Sequence, residues 1–439
     1  MRHAWILALL AVMPAGAGET KTLPLSLARA VEIATAPDGA TRVRLAREQI
    51  AQADARRRQT LGALLPNVDG SYTYRSFTNN LSAMGINLSS IPFVSIPLLV
   101  GPIETNDMRA TASQSLFDLA AIRRYQASKA QSRAARADED ATLNQTKGAV
   151  AKAYLNALRA EAALDAAKAN VALAERILRQ ARSQKEAGTG TGIEITRAEV
   201  SLANERQRQI VATEERNTAR LRLLREMNVE LDVELQLTDK LEAAPAELPT
   251  PAQAIEAARL LRPELKAQAE RQRAAQLSYQ SLKAERLPSA SAFGDYGTLG
   301  KAGAEQLPTR SVGVSVKIPL WDGGRRDARR GESASQLRSE TIRTQDTSRQ
   351  VELDIRLAIE AQSSADSQAR VTLEALQQSE KELAQAERRL EAGVASGLEV
   401  TDAQARLARA RDSRVLALFS QRAARIDLGV AVGNVDMLF

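Results

Sequence analysis

The sequence predicts a mainly α protein with a β component, built twice from one plan: in each half a β-hairpin leads into a very long antiparallel helical hairpin. Three observations carry this. Two stretches of about 70 residues, from Asp118 to Gly188 and from Asp322 to Gly393, lack proline and are dense in Ala, Arg, Glu, Gln and Leu, all strong helix formers. The segments before them switch to a period of two. The order of elements then occurs twice, the tip motif at Lys185 returning 205 residues later at Leu390.

The chain opens with Met1-Arg2-His3, an apolar run from Ala4 to Val12 and Pro14-Ala15-Gly16-Ala17. A basic start, a short apolar core and small residues predict a signal peptide over 1–17, because that core is too short to span a bilayer. The mature chain is therefore exported. We divide it into a first repeat, 18–240, and a second, 241–439.

In the first repeat, strands are expected at about 68–77 and 107–117. Between them Leu81–Ile103 is apolar but interrupted by Pro92, Pro97 and Pro102, which reads as an apolar loop. A helical hairpin follows over about 119–227. Its first arm carries a heptad seam, Leu143, Val150, Ala157, Leu164, Val171 and Leu178, with alanines three residues after most of these positions. Such a seam asks for a closely packed partner helix.

In the second repeat, strands are expected at about 289–298 and 310–320. Val312, Val314, Val316, Ile318 and Leu320 alternate with small or polar residues there. The second helical hairpin covers about 324–428, with a looser seam through Ile355, Ala369, Leu376, Leu383 and Leu390. At the two tips, Gly188 and Gly393 are placed to end the incoming helices in the left-handed conformation. Thr191-x-x-Glu194 and Ser396-x-x-Glu399 read as capping boxes for the outgoing ones.

Composition narrows the function. There is no cysteine, and the only histidine, His3, is lost with the signal peptide. That removes the usual general base, soft metal ligands and one common nucleophile, so we expect no enzyme, cofactor or metal site. The 60 basic and 53 acidic residues are interleaved, and aromatics are 3%, which argues against nucleic-acid binding.

Each expected strand is close to the ~10 residues needed to cross a bilayer, with Phe117 and Trp321 at matching ends where an aromatic girdle would sit. Four strands cannot close a membrane barrel, and an open sheet edge in lipid is forbidden. Either the strands belong to soluble hairpins, or several chains share one barrel.

Leu320-Trp321-Asp322-Gly323-Gly324-Arg325, Leu287-Pro288-Ser289 and the tip Gly393-Val394-Ala395-Ser396-Gly397-Leu398-Glu399-Val400-Thr401-Asp402-Ala403 resemble the TolC-like outer-membrane efflux proteins. The resemblance runs from about Leu25 to about Gly433. It implies a homotrimer with a shared 12-stranded β-barrel surrounded by outer-membrane lipid, and a periplasmic α-barrel. It also implies a belt from 25–47, 228–262 and the C-terminal tail. The implied role is outward transport with a periplasmic adaptor (membrane fusion) protein and an inner-membrane pump, in a tripartite efflux or type I secretion system.

By the same resemblance the pore narrows at the second tip through Glu399 and Asp402, which share a helix face at a spacing of three. Glu399 has two readings, cap partner or pore charge. The counterpart of Asp402 in the first repeat is Arg197, and an Arg197–Asp402 pair across neighbouring hairpins is expected to hold the tip closed. Adaptor docking falls on Gly188, Gly190, Thr191 and Gly192 of the first tip and Gly393, Val394, Ser396, Gly397 and Leu398 of the second. The alternatives are a soluble periplasmic coiled-coil adaptor, which carries one hairpin where this chain has two, and a purely structural coiled coil, which has no use for the period-two segments.

Overall fold

The structure, a computed structural model, describes residues 22–83, 85, 99–188, 190–243, 248–392, 394 and 396–435. The expected signal peptide and Gly393 lie outside them. In chain order the elements are β1 (Thr22–Leu25), α1 (Leu27–Thr35), α2 (Thr41–Gly62), β2 (Asn67–Asn80), β3 (Leu99–Phe117), α3 (Leu119–Glu186) and α4 (Gly192–Met227). They continue with β4 (Glu234–Leu237), α5 (Pro251–Leu261), α6 (Pro263–Ala284), β5 (Ser289–Lys301), β6 (Leu307–Lys317), α7 (Arg325–Glu391) and α8 (Gly397–Val432). At 68 and 67 residues, α3 and α7 are each about 100 Å long. No helix among the described residues is long and apolar enough to cross a membrane.

Two compact units form, each discontinuous in sequence and each drawing on both repeats. One comprises residues up to Leu45, Ala141–Arg262 and from Val351 onward. The expected seam positions Val150, Ala157, Leu164 and Leu178 are buried here, as are Ile355, Ala369 and Leu383. Gly148 lies mid-helix in α3 because a Cβ there would meet Val430 Cγ2 of α8 at 2.5 Å. The glycine therefore trades about 1 kcal/mol of helix propensity for close helix packing.

β1 pairs in parallel with β4, and with α1, α3 and α4 they bury Leu25, Val31, Val43, Leu223, Leu224 and Leu235. The fully buried Tyr154 reaches from α3 into this belt, where its hydroxyl lies 2.9 Å from Leu25 O and 2.8 Å from Asp239 Oδ2. Asp239 Oδ2 also accepts the Leu27 N–H at 2.8 Å. Burial and the Asp239 carboxylate both push the phenol pKa up. Between α7 and α8, Asp366 Oδ1 accepts from the buried Gln362 amide at 2.9 Å and the buried Gln421 amide at 2.8 Å.

The other unit, Ala46–Asp140 with Pro263–Gln350, holds the four-stranded antiparallel sheet β2-β3-β5-β6. The inner pair, β3 with β5, joins the repeats, while β2 and β6 have no further strand partner among the described residues. The registers separate the faces. Val68, Tyr72, Met108, Ala110, Ala112, Ala290, Ala292, Tyr296, Val312, Val314 and Val316 share one face; Ser71, Thr73, Asp107, Arg109, Ser113, Ser291, Asp295, Ser311 and Lys317 share the other. On the apolar face Val312 is 90% exposed and Val314 64%. That much uncovered aliphatic surface is unstable in water, since burying one such side chain is worth about 1.5–3 kcal/mol.

Two expectations change. Residues 99–103 belong to β3 and not to an apolar loop; 84 and 86–98 of that segment lie outside the described residues. Pro102 fits the strand because it falls at the register shift between Phe77 and Asn79, where no ladder donor is required. β6 ends at Lys317 and not at 320: Pro319 has no N–H to donate, although the apolar alternation continues through Ile318 and Leu320.

Candidate functional site: the hairpin tips

At the first tip, α3 stops where Gly188 adopts φ +76° and the Gly190 N–H reaches back to Gln184 O at 2.9 Å. A Cβ on Gly190 would lie 3.0 Å from Lys185 N, so the turn needs its small residue. α4 then opens on Thr191, whose N–H donates to Glu194 Oε2 at 2.9 Å. The second tip closes through Val394 N–H to Arg389 O at 3.0 Å, and α8 opens on Ser396. The capping box expected here is not made: the Ser396 side chain forms no cap bond, and Glu399 instead pairs with Arg389 of α7 at 3.3 Å. The longer arginine competes successfully for a carboxylate that is 40% exposed.

The four helices meeting at the tips share one apolar cluster. It contains Ala174, Ile177 and Leu178 of α3, Ala198 and Leu202 of α4, Leu383 and Ala386 of α7, and Val400, Ala403 and Leu407 of α8. Ion pairs edge it: Arg182–Glu199 at 2.9 Å, Arg206–Glu175 at 2.9 Å, Arg406–Glu382 at 3.1 Å, and Arg176 with Glu387. Each exposed pair contributes only ~0–1 kcal/mol, so the alanine-lined apolar cluster does most of the holding.

Asp402 is exposed and bonds Arg406, one turn along α8, at 2.6 Å. Arg197 is exposed and shares a small recess with Glu194, Gly397 and Thr401. Within one chain, therefore, Arg197 and Asp402 are not paired. Val394, Leu398 and Ile193 are 68%, 54% and 58% exposed, which leaves an uncovered apolar patch at the end of the tips. In the other unit Phe117 and Trp321 are 49% and 86% exposed. A bulge between Ser115 and Phe117 sets Phe117 opposite Ala290, on the apolar face of the sheet. Tyr72 and Tyr296, also exposed on that face, were not singled out from the sequence.

The polar residue that sequence reasoning missed at the tips is Glu194. Besides capping its own helix, its side chain lies against the Gly397 backbone of the second tip, so closely that a Cβ on Gly397 would lie 3.5 Å from Glu194 Cγ and Oε1. The Thr191 N–H, the Gly397 N–H and the positive Arg197 hold the Glu194 carboxyl below its ordinary value. The capping motif was visible, but a contact with a residue 203 positions away (194 to 397) leaves no local signal. Among the described residues no group of His, Asp or Glu is placed to hold a metal ion.

The sequence matches the family model described as outer membrane efflux protein over residues 40–229 and 254–434. No curated protein sequence matches it. The fold is similar to the CmeC outer membrane channel of Campylobacter jejuni, at TM-score 0.80 and 18% identity, covering 93% of this chain and 86% of that one. It is equally similar to a membrane protein from Pseudomonas aeruginosa, at 0.80 and 19% with 93% of each chain covered. The open state of the Neisseria gonorrhoeae MtrE outer membrane channel matches at 0.76 and 19%, covering 93% of this chain and 89% of that one.

Proposed function

Because the chain belongs to the outer membrane efflux protein family, we propose that three copies form one duct, which carries substrates outward from a periplasmic adaptor and an inner-membrane pump in a tripartite efflux or type I secretion complex. The observation that carries this is the sheet. It has one apolar face, one polar face and two edges without a strand partner among the described residues. Lipid tolerates the apolar face but not the open edges, and pairing β6 of one copy with β2 of the next removes them. Three copies of four strands then close a 12-stranded barrel with its polar face inward. A soluble adaptor or a structural coiled coil has no use for such a sheet.

The role is that of a conduit, without catalytic chemistry. Control sits at the tips. Glu399 and Asp402 ring the narrowing, and Arg197 of one chain meets Asp402 of its neighbour, displacing Arg406. The apolar patch of Val394 and Leu398, with Gly188, Gly190, Thr191, Gly192, Gly393, Ser396 and Gly397 around it, receives the adaptor. Phe117 and Trp321 mark the periplasmic boundary of the membrane.

Purified full-length protein should migrate as a heat-modifiable trimer and conduct in planar bilayers, with Asp402→Ala raising single-channel conductance. A soluble monomer sinks the duct reading, and an unchanged Asp402→Ala conductance sinks the assignment of the narrowing.

A further inference from the structure

Where the sheet meets the helices, a recess of about 220 Å³ is lined by Arg124, Lys317, Arg326 and Arg329, against only two carboxylates, Asp118 and Glu285. Both acids are already engaged: Asp118 accepts the Ala121 N–H at 2.9 Å as the cap of α3, and Glu285 bonds Arg329 at 2.7 Å. Arg124 lies 3.9 Å from Asp118, a loose pair, and among the described residues Lys317 is in no ion pair. Asp322 holds Arg326 at 3.5 Å, so four cations face three committed carboxylates, and Lys317 carries the excess positive charge.

The local sequence adds to the imbalance. α7 begins with Arg325, Arg326, Asp327, Ala328, Arg329 and Arg330. Four arginines in the first two turns oppose the helix dipole, which favours acids at that end. Asp322 and Asp327 offset Arg326 and Arg330, at 3.5 and 3.4 Å, and leave positive charge that a bound anion would neutralise. Guanidinium groups present paired donors that match phosphate and carboxylate oxygens, and the volume is several times the ~30 Å³ a water occupies.

We infer that this recess is an anion-binding site for phosphate- or carboxylate-bearing molecules. Lys317 and Ser289, which line it, are register partners on the polar face of the sheet. The site therefore opens toward the interior of the barrel and not toward lipid, a placement that rests on the duct reading above. A positive ring at the foot of the barrel would hold anions where they pass from the helices into the strands.

The test uses the full-length trimer in detergent, titrated calorimetrically with inorganic pyrophosphate. Wild type should bind, and Lys317→Gln with Arg124→Gln should bind about tenfold more weakly. Arg330→Gln, outside the recess but in the same basic run, should bind like wild type. Lys317→Gln alone, which breaks no ion pair, serves if the double variant fails to assemble. No binding by wild type, or equal binding by the recess variants, overturns the site. In a phosphatidylcholine bilayer, pyrophosphate added on the strand side should reduce the current of wild type and not of the double variant. A conducting duct indifferent to pyrophosphate overturns the lumenal placement. A protein that binds pyrophosphate yet never conducts overturns the duct reading and leaves the recess standing.

Discussion

Replacing Glu194 with alanine removes one carboxylate from both tips at once. The Thr191 N–H loses its acceptor at 2.9 Å, and the second tip loses the carboxylate that faces Gly397, the first residue of α8. Loss of the cap costs about 1 kcal/mol within the first tip, and a carboxylate beside a helix N-terminus is worth about 0.3–1 kcal/mol. The contact between the tips is therefore worth about 0.5–1 kcal/mol in favour of joined tips. About 1.4 kcal/mol is a tenfold shift in an equilibrium, and the open probability of the duct in planar bilayers should rise roughly two- to fivefold. Glu194→Gln, which keeps an acceptor but not the charge, should fall between. The pH dependence has a definite sign. The carboxyl is held below its ordinary value of 4.5, so the link is fully present at neutral pH and is lost as pH falls through the lowered value. Wild type should open on strong acidification, and Glu194→Ala should respond less, its remaining response coming from Glu399 and Asp402. An open probability for Glu194→Ala equal to wild type, in a protein of unchanged circular dichroism, refutes the reasoning.

Three further outcomes follow from the rest of the fold. Val314→Lys puts a charge on the apolar face of β6 at a cost of about 2–4 kcal/mol in mid-bilayer, whereas Ser315→Lys points to the polar face; trimer yield in membranes should fall only for the first. Glu205 is buried, its Oε2 has no hydrogen-bond partner, and burial first and Asp412 second push its pKa up, with Arg208 opposing. The native state therefore binds the proton more readily than the unfolded chain, so stability falls as pH rises through that window; Glu205→Gln should raise Tm at pH 7 and flatten its pH dependence. Tyr154→Phe leaves Leu25 O and Asp239 without the hydroxyl and should cost about 1–3 kcal/mol, read as a lower midpoint of thermal unfolding.

The long helices and the duplication were legible because they rest on composition and periodicity, which are local. Gly188 announced the end of α3 for the same reason. The strand ends were less legible: Ile318 and Leu320 keep the apolar alternation after Pro319 has stopped the ladder, and Pro102 looked like a breaker although a register shift accommodates it. At the tips, Thr191 and Glu194 showed as a cap, but Ser396 and Glu399 have the same spacing without the same bonding, because Arg389 on the adjacent helix captures the carboxylate. Glu194's grip on Gly397 and the charge excess around Lys317 are meetings of distant segments, which spacing alone does not encode.

The bond of Asp366 to both Gln362 and Gln421 fixes how the second hairpin can move. Gln362 holds Asp366 within α7, and sliding α8 by even one turn would carry the buried Gln421 amide off Asp366, at about 1–3 kcal/mol. The hairpin is therefore a lever and not a piston. From Asp366 to Leu390 is 24 residues of continuous helix, an arm of about 36 Å. A tilt of about 5° at Asp366 swings the tip by roughly 3 Å, comparable to the reach of the Glu194 link, so a small rotation high in the hairpin is enough to part the tips.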